Sequence, residues 1–136
     1  MGIFAVITSL VTINLLNAQH TASIDSTVTT LIADLKQQQL KTMVGDTEGR
    51  GVTDQYGVYF AADKYVLFHG SYNPADNSNF VVNLEGTLNF TVNGEVVFSK
   101  GSGEKSGLNA IVINDSLTSR QKTININTYG VVTTVN

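Results

Sequence analysis

Hydrophobic positions follow two different rhythms along this chain, and the change comes near residue 45. In the first stretch Ile3, Phe4, Val6, Ile7, Leu10, Val11, Ile13, Leu15 and Leu16 leave no polar face. The segment 3–16 is apolar almost all round and is diluted only by Thr8, Ser9, Thr12 and Asn14. After the polar residues 17–23, apolar side chains return at Ile24, Val28, Leu31, Ile32 and Leu35. Those steps keep them on one stripe of a helix. Gln39 then falls in the stripe, Met43 rejoins its edge, and Gly45-Asp46 supplies a C-terminal stop. No proline or glycine interrupts 3–44, so the pattern predicts one continuous helix, roughly 60 Å long.

Past residue 46 the rhythm becomes alternating. "YGVYF" (56–60) and "KYVLFHG" (64–70) flank "AADK" and read as a hairpin. In the second of these Tyr65 and Leu67 oppose Val66 and Phe68, so that strand is apolar on both faces and reads as central, covered twice. "NFVVNL" (79–84) follows a turn cluster at Asn73-Pro74. In "TLNFTV" (87–92), Leu88, Phe90 and Val92 point inward while Asn89 and Thr91 point out. Asn93-Gly94 has the form of a two-residue hairpin turn into "EVVFS" (95–99). "NAIVIN" (109–114), "KTININ" (122–127) and "GVVTTV" (130–135) complete the set.

A helix followed by a run of strands is an α+β plan. It divides the chain into a long N-terminal helix at 1–45 and an antiparallel β head, a sheet or sandwich, at 46–136. The helix has a hydrophobic half at 3–16 and an amphipathic half at 17–44, and helix and head together make one domain. Ile24, Val28, Leu31, Ile32 and Leu35 are expected to join the rear half-helix to the head. A helix twice as long as a small domain outruns its head, so 3–16 is expected to project into other apolar company.

Length sharpens this expectation. Fourteen helical residues cover roughly 21 Å, whereas a bilayer core needs about 30 Å. A secretion signal would need a basic start and a small-residue cleavage site, but the first cationic side chain is Lys36. The segment is therefore either a buried core helix or the rear part of a longer membrane helix. Only 14% of residues are charged, against a usual quarter, and Thr, Asn, Ser and Val abound, which suits exposed β-structure outside the cytoplasm. The net charge of −3 gives no electrostatic footprint for nucleic acid. With no cysteine there is neither a disulfide framework nor a thiolate metal site.

The candidate chemistry is thin. "KGSGEKSG" (100–107) departs from a phosphate-binding P-loop, because Glu104 separates Gly103 from Lys105 and a strand follows; it reads as a flexible hairpin loop. "DTEGRGVTD" (46–54) holds three acids without the calcium-loop pattern and reads as a solvated connection. His20 and His69 are far apart in sequence, and without cysteine they define no metal site. No G-x-S-x-G nucleophile elbow is present. Asn89-Phe-Thr91 and Asn114-Asp-Ser116 match the glycosylation sequon and read as ordinary strand or turn sequence. The expectation is a chain with no catalytic residues, no metal and no cofactor, and not an enzyme.

The order of segments resembles a known family. A hydrophobic helix runs into "LIADLKQQQLKTMVGDTEGRGV", then "YGVYFAADKYVLFHGS", "VVFSKGSGEKSG" and a closing "KTININTYGVVTTV". This is similar to type IV pilin-like proteins, most of all to the H-type minor pseudopilins of type II secretion systems. Leu31, Asp34 and Leu35 match the family's helix motif. Tyr56, Gly57, Val58, Phe60, Tyr65, Leu67 and Phe68 match its first strand pair. Val97, Phe98, Gly101 and Gly103 match the middle phrase, and Ile124, Asn125, Tyr129, Gly130 and Val131 match the ending. The family's N-terminal "GFTLIE" signature, cut by a prepilin peptidase, is missing, and Ile13 stands where many members carry a proline. The resemblance thus implies that roughly ten residues of the membrane helix precede this sequence. Restoring them would lengthen the apolar run to about 20 residues, enough to span a bilayer.

What the resemblance implies is a structural subunit. It would be anchored in the inner membrane by its single helix, then packed through Ile3, Phe4, Val6, Ile7, Leu10, Val11, Ile13, Leu15 and Leu16 against other pilin or pseudopilin subunits in a periplasmic or cell-surface filament. An all-round apolar helix suits lipid and neighbouring helices alike, and Thr8, Ser9 and Thr12 are small enough for close approach. Two alternatives stand beside it. A DNA-uptake pilin requires a basic patch built from Arg50, Lys64, Lys100, Lys105, Arg120 and Lys122. A secreted adhesin or carbohydrate binder requires clustered exposed aromatics, with Tyr59, Tyr72 and Tyr129 as the candidates.

Overall fold

The computed structural model of the chain describes residues 24–136. The segment 3–16, with the filament-packing candidates Ile3 to Leu16, and His20 lie outside the described residues.

A helix, α1, occupies the described residues 24–44. Its inward stripe steps by four and three residues: Ile24, Val28, Leu31 and Leu35 are buried, and Gln38 and Thr42 continue it as buried polar side chains. Ile32 is partly buried against the same core. Leu40, Met43 and Val44, off the stripe, are exposed. The helix stops where Gly45 takes a left-handed φ of 71° and the Asp46 N–H reaches back to the Lys41 carbonyl at 3.0 Å. That closure satisfies one of the helix's terminal acceptors.

Nine strands follow. They are β1 (Tyr56–Phe60), β2 (Lys64–His69), β3 (Phe80–Asn83), β4 (Leu88–Phe90), β5 (Gly94–Phe98), β6 (Lys105–Gly107), β7 (Ala110–Asp115), β8 (Arg120–Ile126) and β9 (Val132–Val135). They form two antiparallel sheets, one ordered β3-β2-β1-β5-β6 and the other β4-β7-β8-β9. The architecture is therefore α+β. One core serves all three layers: Val58, Phe60, Tyr65, Val96 and Phe98 from the first sheet meet Leu88, Phe90, Ile111, Ile113, Ile124 and Ile126 from the second, with the α1 stripe packed among them. Phe60 meets Phe90 edge-on at 5.1 Å, which joins the two sheets.

β2 is an interior strand with both faces covered. Tyr65 belongs to the common core, and Val66 and Phe68 are buried on the other side. There Tyr72 packs edge-on to Phe68 at 5.4 Å and stacks on Tyr59 at 4.1 Å. Gly57 makes this arrangement possible: a Cβ there would stand 2.6 Å from the Phe68 ring and 2.7 Å from the Val96 carbonyl oxygen.

Two local expectations need correction. Asn93-Gly94 is not a hairpin turn; β4 pairs with β7 and β5 pairs with β1, so this dipeptide carries the chain from one sheet to the other. The segment 100–107 is not all loop. β6 lies within it and pairs with β5 through Val96↔Gly107, Val97↔Ser106 and Phe98↔Lys105. Gly107 fits there because a Cβ would collide with the Glu95 carbonyl oxygen.

Candidate functional site

The seat of α1 on the head is the most elaborated polar region among the described residues. The Tyr65 hydroxyl donates to Asp34 Oδ2 at 2.7 Å. Burial pushes that phenol well above its ordinary pKa, and the hydrogen bond to Asp34 pushes it further. One turn on, Gln38 Nε2 donates to the Gly57 and Phe68 carbonyls at 2.9 and 3.2 Å. Those residues face each other across the β1–β2 ladder, so each oxygen uses its second lone pair. Thr42 Oγ1 donates to the Gln38 carbonyl at 2.9 Å and accepts from the Tyr56 N–H at 3.1 Å. On the flank, Gln39 Nε2 donates to the Gly103 and Tyr129 carbonyls at 2.9 and 2.7 Å.

Segments remote in sequence thus converge on one helix face. Asp34 meets Tyr65, and Gln39 meets both Gly103 and the Tyr129-Gly130 turn. Gly130 has a φ of 77°, and a Cβ there would stand 2.5 Å from Gln39 Nε2. The expectation that Gln39 continues the stripe and Met43 rejoins its edge needs correction: Gln38 and Thr42 are the buried continuation, Gln39 lies on the flank and Met43 is exposed. The missed signal is the unbroken four-three step to Gln38 and Thr42, whose side chains pair with backbone instead of packing as hydrocarbon.

Beside the seat runs a groove of about 450 Å³ between α1 and the β2–β3 side of the sheet. Its lining includes Asp34, Lys41, Leu67, His69, Ser78 and Phe80. Lys41 and Arg50 both pair with Glu48, at 2.9 and 3.3 Å, and both approach the Tyr56 ring. At one end Asp54 Oδ2 lies 3.2 Å from His69 Nδ1, and His69 Nε2 lies 2.8 Å from Ser78 Oγ. The outline is that of an acid–imidazole–hydroxyl relay, but the proton accounting opposes it. Ser78 Oγ donates its single proton to Asp76 Oδ1 at 2.7 Å and so has none to give His69. The Ser78 N–H, a natural oxyanion donor, is also spent on Asp76 Oδ1, at 2.8 Å. An alkoxide forming beside that carboxylate would be repelled. These hydrogen bonds, led by the Ser78 N–H, hold the Asp76 carboxyl below its ordinary pKa. The cluster works as a clasp that ties the loop 70–79 to β2.

Of the other candidate residues, Tyr59 and Tyr72 come together and Arg120 and Lys122 lie two residues apart on β8, while the rest are spread over the head. Arg50 is paired with Glu48, Lys105 is buried with its amine on Asn109 Oδ1 at 2.8 Å, and Lys122 lies 3.8 Å from Asp25. Lys64, Lys100 and Arg120 sit on β2, the β5–β6 turn and β8. Tyr59 and Tyr72 stack on each other and are half-buried, while Tyr129 is exposed at the α1 side beside Gln39. The acids of 46–54 are engaged locally: Asp46 accepts the Glu48 N–H, Glu48 holds Lys41 and Arg50, and Asp54 holds His69. The two sequon asparagines, Asn89 and Asn114, are cross-strand partners. Among the described residues no group of three or more His, Cys, Asp or Glu side chains is placed to hold a metal ion, and no helix is long and apolar enough to cross a membrane. Comparison with protein-family models, with curated proteins and with solved structures finds no match.

Proposed function

We propose that this chain is a non-enzymatic structural subunit of the type IV pilin-like kind, a minor pilin or pseudopilin that assembles through its N-terminal hydrophobic helix. The observation that carries the reading is the helix seat. The amphipathic half-helix is fastened to a β head along its whole described length, by apolar side chains as far as Leu35, by Asp34 beside them, and by Gln38, Gln39 and Thr42 beyond. The contacts made there join Asp34, Tyr65, Gly103 and Tyr129, residues drawn from four separate segments of the family resemblance.

A half-helix held this firmly gives the segment before it a fixed point of attachment to the head. On this reading Ile3–Leu16 sit first in the inner membrane and then among the helices of neighbouring subunits, and the head faces the periplasm or the cell surface. Further pilin subunits are the partners, and a prepilin peptidase processes any longer precursor.

The test is the fate of a tagged chain in its native host. The reading expects it to co-purify with sheared or membrane-extracted filaments, and expects Leu10→Arg to abolish that association while the head stays folded. A Leu10→Arg chain that still enters filaments, or a wild-type chain that never does, overturns it.

A further inference from the structure

Among the described residues, two open sheets present four edge strands, and three of them are blunted. On β4 the outward N–H groups of Leu88 and Phe90 are taken by the Glu85 and Ala62 carbonyls, both at 2.9 Å. On β6 the outward N–H of Lys105 goes to the Thr128 carbonyl at 2.7 Å. β9 is interrupted by a register shift opposite Asn125/Ile126, and such bulges disfavour edge pairing. β3 has none of these devices. It carries no charge, no proline and no bulge, and Phe80 and Val81 are 64% and 46% exposed.

The register defines which backbone groups are open. Leu84 N–H bonds to the Asp63 carbonyl at 2.9 Å, so in this ladder the residues bonding toward β2 are Phe80, Val82 and Leu84. The N–H and C=O groups of Val81 and Asn83 therefore point away from the sheet, and among the described residues no hydrogen bond reaches them. Water satisfies such an exposed row in the single chain, and another extended strand can replace it with a continuous ladder.

We propose that β3 pairs antiparallel with β3 of a second copy of this chain, about a two-fold axis through Val82. In this register Val81 faces Asn83 of the other copy twice over, and all four open residues exchange their hydrogen bonds. On one face Phe80 meets Leu84, Val82 meets Val82, and Leu84 meets Phe80, so every contact is apolar. Sliding the pairing so that Val81 faces Val81 brings in Asn79, whose N–H is already spent on the Asp76 carbonyl. Sliding it the other way brings in Glu85, whose carbonyl already accepts from Leu88. The favoured register is the one that uses only free groups, and an isologous contact closes as a dimer. A strand of this length buries less than the ~1,200 Å² of a stable complex, so the pair forms at high local concentration. The inference does not rest on the filament reading.

Because the chain has no cysteine, covalent trapping is clean. Residues facing each other in a non-hydrogen-bonded antiparallel pair stand about 4.5 Å apart at Cα, within disulfide range. The full chain carrying Val82→Cys should therefore form a disulfide dimer under mild oxidation. Phe80→Cys, on the same face and more exposed, should stay monomeric alone and cross-link only when mixed with Leu84→Cys. Adding Val81→Pro to Val82→Cys removes an outward N–H and leaves the β2 ladder intact, and should cut the dimer yield several-fold. Association driven instead by residues 3–16 would trap Phe80→Cys at least as readily as Val82→Cys. That result, or a Val82→Cys chain that folds by circular dichroism yet stays monomeric, overturns the proposal.

Discussion

Tyr65 and Asp115 are single residues whose environments predict opposite responses to pH. The phenol of Tyr65 is held neutral by burial and by Asp34, so its folded pKa lies above the unfolded value of 10.0. Its contribution is complete below that value and is lost as pH rises past it, because the unfolded chain releases the proton first. Urea titrations above about pH 10 should show the wild type losing stability faster than Tyr65→Phe. Asp115 is fully buried at the start of the β7–β8 turn. Burial opposes its charge, but hydrogen bonds led by the Leu117 N–H at 3.0 Å outweigh that and lower its pKa. Its contribution is therefore complete above the unfolded value of 3.8 and is lost as pH falls through the folded one. Asp115→Asn should cost about 1–3 kcal/mol near neutral pH, a deficit that thermal melts should show narrowing in acid.

At the scale of the element, α1 was legible as far as its hydrocarbon went. Leu31 is fully buried and Leu40 is 60% exposed, as the stripe through Ile24, Val28 and Leu35 implies. Leu31→Ala should cost about 2–5 kcal/mol in chemical denaturation, while Leu40→Ala should stay within about 0.5 kcal/mol. β1 offers a complementary test: the space at Gly57 is closed by Phe68 and Val96, so Gly57→Ala should destabilise by roughly 1–3 kcal/mol through overpacking. Strand positions were readable from alternation, but partners were not. Asn93-Gly94 has hairpin chemistry, yet Phe90 on one side of it belongs with Ile113 and Phe98 on the other belongs with Tyr56. A turn dipeptide specifies a local bend, whereas the choice of sheet depends on burial far away. β6 escaped notice because Lys105-Ser106-Gly107 has no apolar rhythm; its backbone ladder and the Gly107–Glu95 approach hold it in place.

At the scale of the molecule, helix and sheets share one core, so neither layer has an interior of its own. Unfolding of the full chain should be a single transition, with helical circular dichroism and tyrosine fluorescence coinciding in urea; two separated transitions would mean that α1 detaches from a head that stays folded. The α+β class, the helix with its stop at Gly45, most strand positions and the inward faces were all determined by the sequence, because period and capping act over a few neighbouring residues. The tertiary structure alone decided how the strands divide between two sheets, that Gln38 and Thr42 belong to the buried stripe, that Asp34 reaches Tyr65, and that Asp54, His69, Ser78 and Asp76 form a clasp. Those outcomes turn on which buried polar groups find partners across the fold, and such matching depends on distances that no local pattern encodes.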